Sequence, residues 1–173
     1  FPAIIVLLLI TIFPLIYSFN ISLRSVTLLK LQQQPFVGLA NYIEIFKDPR
    51  FYNALQKTLI FCVALPIEFF IGLGLALLCD RIPGQGAFKM FFLIPMIIAP
   101  IVVSLIWRFM FNPTQGIINY FLQTMGFAPV SWFSSSINSM LSVIIVEVWQ
   151  WTPFFFLVLY TGLKNVPIEP IEA

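Results

Sequence analysis

Glu68, Glu147 and Gln150 stand near the middle of long, mostly apolar stretches. A carboxylate at the centre of a bilayer costs roughly 3 kcal/mol or more, so such groups must face protein or water. On a helix Glu147, Gln150 and Trp151 fall at i, i+3 and i+4, hence on one face, and Phe154 continues it. Hydrogen-bonding groups beside aromatic rings suit a polyhydroxyl solute, with ring faces for its C–H surfaces and polar groups for its hydroxyls. The same Glu147 would equally serve as a helix-to-helix hydrogen bond. For Glu68 the structural reading is the stronger, because no second polar residue shares its face. Gly72 and Ala76, on the same stretch, form a small-xxx-small pair suited to close helix packing.

Other chemistry is missing. The chain has no His, the commonest general base and metal ligand. Cys62 and Cys79 lie 17 residues apart on one predicted helix, about 25 Å, beyond disulfide reach. There is no Gly-x-x-x-x-Gly-Lys-Ser/Thr, Gly-x-Ser-x-Gly or His-Glu-x-x-His motif. The Gly72-Leu73-Gly74 triplet is a packing feature and not a dinucleotide fingerprint. Catalysis would rest on Glu68 and Glu147 from different helices, so no enzymatic activity, metal or resident cofactor is expected.

The elements that hold these residues are apolar spans. Of 173 residues 60% are hydrophobic and 9% charged, against roughly 25% charged in soluble domains. The composition is that of an all-α integral membrane protein, and a net charge of +2 does not suggest nucleic acid. Four transmembrane helices are expected, over about 1–23, 53–78, 90–111 and 137–163, each near the ~20 residues a bilayer needs. The continuous apolar runs, without alternation, favour helix over barrel strand. The chain opens on Phe1 and not Met, so more chain is expected before it.

Two connecting segments carry amphipathic patterns. Residues 36–46 suit a short helix at the membrane interface. In 112–136, which lacks Lys and Arg, Ile117, Ile118, Phe121, Leu122 and Met125 share a face opposite Asn119, Gln123 and Thr124, as in a helix lying among the headgroups. Trp132 and Phe133 fit an aromatic anchor at the same level. A tight turn is expected around Pro83-Gly84-Gln85-Gly86. Charge alone does not orient the spans: Arg24, Lys30, Lys47, Arg50 and Arg108 oppose Arg81, Lys89 and Lys164.

Pro66, Pro95, Pro100 and Pro153 all fall within predicted spans. Each removes a backbone hydrogen bond and crowds the preceding turn. In lipid such breaks persist where neighbouring helices or a wet cavity satisfy the freed carbonyls, and transporters place substrates beside them.

Several segments, in order, resemble the permease subunits of binding-protein-dependent ABC importers, in their sugar-type branch. They are Gly38-Leu39-Ala40-Asn41-Tyr42; Phe88-Lys89, Pro95, Trp107-Arg108, Phe111-Asn112, Gly116 and Asn119; then Trp149, Pro153, Gly162-Leu163, Pro167 and Glu172-Ala173, the last pair resembling the start of the EAA loop. Lys57 departs from the pattern, where many relatives carry Asn. The resemblance implies one transmembrane permease domain over 1–173, truncated at both ends, from a six-helix fold with interfacial helices in the outer loops. It implies an inner (plasma) membrane location and a second homologous permease. It further implies two cytoplasmic ATPases that hold ATP and Mg, and an extracytoplasmic solute-binding protein. The substrate pathway would involve Met96, Pro100, Glu147, Gln150 and Trp151. The start of the EAA coupling loop, 164–173, would meet the ATPase through Pro167, Glu169, Pro170, Glu172 and Ala173. A secondary transporter or channel using Glu68 and Glu147 is the alternative.

Overall fold

The computed structural model describes residues 2–26, 34–80 and 85–165. Among the described residues there are helices and no strand, apart from an isolated bridge between Arg24 and Phe36. The chain divides into two compact units, residues 1–56 and 57–173.

In the first unit, α1 (Pro2–Ser22) is a long apolar helix, and α2 (Ala40–Lys47) is short. A helix ends with carbonyls that lack intrahelical donors. Asn41 Nδ2 supplies one, donating to the Ser22 and Arg24 carbonyls at 2.8 and 3.0 Å. The Tyr42 hydroxyl meets Ser22 Oγ at 2.6 Å. Gly38, at φ +58°, makes the turn that brings this Asn-Tyr pair back to α1. α2 leaves Ile43, Ile45 and Phe46 exposed. The third helix, α3 (Pro49–Phe61), starts in this unit and continues into the next. Before it, Asp48 Oδ1 accepts from the Arg50 backbone N–H at 2.8 Å, and its Oδ2 pairs with the Arg50 guanidinium at 2.9 Å. The Arg50 side chain holds the Asp48 carboxyl below the ordinary aspartate range, and the backbone bond adds to it.

In the second unit two of the prolines, Pro66 and Pro100, accompany breaks, whereas Pro95 and Pro153 lie inside helices. α3 gives way to α4 (Ala64–Asp80) at Cys62–Val63, just ahead of Pro66, whose ring would collide with a helical Cys62 carbonyl. Together Pro49–Cys79 remains long and apolar enough to cross a membrane, as do Ile4–Ser22 and Ser136–Lys164. The span expected over 90–111 is two helices, α5 (Gln85–Ile97) and α6 (Pro100–Met110), bent by 97°. Ala99, held extended at ψ 136° ahead of Pro100, marks the corner. The chain then forms α7 (Ile117–Thr124) and α8 (Ser136–Lys164), whose N-terminus is capped by Ser135 accepting from Asn138 N–H. Pro153 sits within α8 without ending it. From Phe109 to Val146 the sequence carries no charged side chain.

α8 is the centre of this unit, and α4 and α5 pack on it. The face of α4 that does so carries Ala64, Glu68, Gly72, Ala76 and Cys79, all buried. A Cβ on Gly72 would lie 2.8 Å from Phe155 Cβ and 2.9 Å from Phe156 N, so only glycine allows the approach. The small-residue pairing read from the sequence is thus a helix seam. At its Lys164 end Ala76, Cys79 and Phe156 form a fully buried cluster.

At the other end Val103, Trp107 and Phe111 of α6 and its C-terminus form a second cluster, against Ile118, Trp132, Val146 and Trp149. Two expectations change here. Asn119 points inward and is buried, and Trp132 packs in the cluster with its indole N–H donated to Asn119 Oδ1 at 3.0 Å. Asn119 also accepts from Val130 N–H and donates to the Pro113 and Val130 carbonyls. One amide therefore closes the whole loop. Gly116 is required beside it, because a Cβ there would run into the Met110 and Asn112 carbonyl oxygens.

Candidate functional site

The helix α8 carries most of the sequence-derived candidates, and the structure gives them different surroundings. Glu147 lines a cavity of about 260 Å³ between α6 and α8. Ser104, Trp107 and Arg108 face it from α6, Val146 lies beside Glu147, and Phe133 closes the rim. One turn along, Gln150 is buried, whereas Trp151 is 42% exposed with its ring edge-on to Phe154. The i, i+3, i+4 face is real, yet helix packing divides it among a cavity, the interior and the outer flank.

Met96 is half-buried on α5, and Pro100 is exposed at the first turn of α6. Neither lines this cavity or the next. A second cavity, of about 340 Å³, lies where α5 and α8 meet α4, with Pro95 and Pro153 in its wall. Pro95 lies within α5 and Pro153 within the unbroken α8, so the cavity adjoins two prolines without a helix break at either. Its lining is apolar except for Thr152, whose hydroxyl donates back to the Val148 carbonyl.

Glu68 is 2% exposed, and its Oε1 has no hydrogen-bond partner. It sits in the α4–α8 seam and lines neither cavity. Trp107 Nε1 is likewise buried without a partner, at the wall of the α6–α8 cavity. Sequence reasoning passed over Trp107, Arg108 and Ser104 as site residues. Their i, i+3, i+4 spacing was visible, but the 97° bend that turns them toward Glu147 was not. Among the described residues no group of His, Cys, Asp and Glu could hold a metal ion. Pro167, Glu169, Pro170, Glu172 and Ala173 lie outside the described residues.

The described residues thus place an interrupted span against a long polar-bearing helix, with cavities at the junctions. No protein-family model matches the chain. Curated proteins do. The probable ABC transporter permease protein y4oQ of Sinorhizobium fredii is 39% identical over 99% of this chain and 56% of its own length. The trehalose/maltose transport system permease protein MalF of Thermococcus litoralis is 34% identical over 99% of this chain and 59% of its own. The trehalose transport system permease protein SugA of Mycobacterium tuberculosis is 35% identical, over 99% and 55%. A crystal structure of a bacterial ABC transporter involved in the import of the acidic polysaccharide alginate matches the fold with a TM-score of 0.75. It is 18% identical and covers 98% of this chain and 58% of that one.

The chain is a membrane protein and a homologue of ABC-transporter permease proteins, those of sugar systems among them. It spans a little over half the length of these relatives.

Proposed function

We propose that the protein is the transmembrane permease subunit of an ATP-driven importer and forms half of the translocation pathway for a sugar or related small solute. Four spans of a six-helix fold lie in the inner membrane, the bent α5–α6 pair counting as one. A second homologous permease completes the pathway, two cytoplasmic ATPases hold ATP and Mg and do the hydrolysis, and an extracytoplasmic solute-binding protein delivers the solute. The segment 164–173 begins the coupling loop, and Pro167, Glu169, Pro170, Glu172 and Ala173 are its candidates for coupling to the ATPase. Met96, Pro100, Glu147, Gln150 and Trp151 lie along the pathway.

The observation that carries this reading is the cavity between α6 and α8, whose wall includes Glu147, Arg108, Ser104, Ser142 and aromatic rings. A polyhydroxyl solute needs that combination. The relatives named for trehalose and maltose transport support the solute class. A secondary transporter built on Glu68 and Glu147 is not favoured, since Glu68 is closed into a helix seam.

The test is purification of the full-length protein from mild detergent, then solute uptake in proteoliposomes. A P-loop ATPase and a second permease are expected to co-purify, and uptake is expected to require ATP. Gln150→Ala and Trp151→Ala should each lower uptake about tenfold, the scale of one lost contact, with assembly intact. Unchanged uptake kinetics would remove these two residues from the pathway, and a chain that purifies without an ATPase would end the importer reading.

A further inference from the structure

Two separate contacts fix the broken span to α8. On the Lys164 side, α5 runs along α8 through two rungs. Lys89 Nζ stands 3.9 Å from the centroid of the Tyr160 ring, and one turn on Phe92 meets Phe156 edge-on at 5.4 Å. The same Tyr160 ring has Lys164 Nζ at 5.8 Å, from the last turn of its own helix. Both ammonium groups are within the ~6 Å over which a ring face attracts a cation. On the other side, α6 meets α8 through Trp107 and Trp149, edge-on at 5.5 Å. Between the two attachments both elements are weakened. The α5–α6 corner lies at Ala99, and Pro153 of α8 falls between Trp149 and Phe156.

We propose that Lys89 is a positioning residue that ties α5 to the final turns of α8. The two then move as one body about the corner at Ala99 and the proline at 153, against a second body made of α6 and the first part of α8. The proposal rests on the importer reading, in which the segment after Lys164 receives the ATPase's motion. Tyr160 is where that motion passes to α5. Helices are stiff along their length and yield at proline breaks, so the displacement reaches the α6–α8 cavity as a change of angle at the corner. The cation–π contact suits the task because it holds two helix ends together without a fixed hydrogen-bond geometry.

The experiment uses the full-length protein with its ATPases in proteoliposomes and reads solute taken up per ATP hydrolysed. Lys89→Met and Tyr160→Leu are each expected to lower that ratio about tenfold, between the exposed and the desolvated strength of a cation–π pair, with ATP hydrolysis itself within about twofold of the unaltered assembly. The double variant should be no worse than either single one. Lys89→Arg and Tyr160→Phe keep the charge and the ring, and should keep the ratio. A second measurement does not depend on how these variants fold. In a background lacking Cys62 and Cys79, Phe92→Cys and Phe156→Cys are joined by a short bis-thiol reagent, and the joined protein should still transport. An unchanged ratio in Lys89→Met, or uptake abolished by the cross-link, overturns the proposal. Absence of ATP-driven uptake in the unaltered assembly sinks the importer reading and this proposal with it.

Discussion

Along the α4–α8 seam the helices meet because side chains are small: Gly72 admits the backbone of Phe156, and Ala76 and Cys79 continue the groove. In the loop around α7 the opposite device is used. One large polar group, the Asn119 carboxamide, reaches two carbonyls, a backbone N–H and an indole N–H. The contrast follows the solvent. Within hydrocarbon there is no hydrophobic force between helices, so closeness of backbones and dispersion must hold them. In an irregular loop every backbone group needs a partner, and a buried amide provides several at once. Glu68 is the exception inside the seam, a polar group among small ones with Oε1 unpaired.

That comparison can be broken at either side. The largest effect is expected from Gly72→Leu, because the seam has no room even for a Cβ. Overpacking of this kind costs roughly 3 kcal/mol, and the midpoint of thermal unfolding in detergent should fall accordingly. A midpoint like that of the unaltered protein would mean the seam is loose. Asn119→Leu comes next. It strands the groups that the amide satisfies, at about 2 kcal/mol after partial rehydration, and hydrogen exchange should quicken over 112–132 while the α4–α8 seam stays protected. Equal loosening of both regions would show that they are one cooperative body. Trp107→Phe should matter least. Its ring packs against Phe111 and Trp149, but its N–H has no partner to lose, so the smaller Phe ring should cost only part of the packing, about 1.5 kcal/mol, in the same unfolding measurement.

The seam was legible in the sequence because small residues four apart have few other uses on an apolar helix. The breaks ahead of Pro66 and Pro100 were legible too, since proline acts through local covalent geometry, but Pro95 and Pro153 lie inside helices that continue through them. The size of the bend at Ala99 was not, because the proline states only where a helix stops and the packing of α6 on α8 decides where it goes next. Asn119 was misread for a physical reason. In an amphipathic pattern a polar residue is assigned to water, yet an amide with a full set of partners is as well placed inside. Trp132 followed it, as an anchor for an interface when its N–H is in fact spent on Asn119. In the site the helical spacing of Glu147, Gln150 and Trp151 was correct, but neighbouring helices gave each a different environment.

The uncharged run from Phe109 to Val146 has a kinetic consequence. Opposite charges draw partners together from a distance, and salt weakens that pull. A surface built from this stretch exerts none. Whatever settles on it must find it by diffusion and shape, and any dependence of that encounter on ionic strength must originate in charges elsewhere on the two molecules.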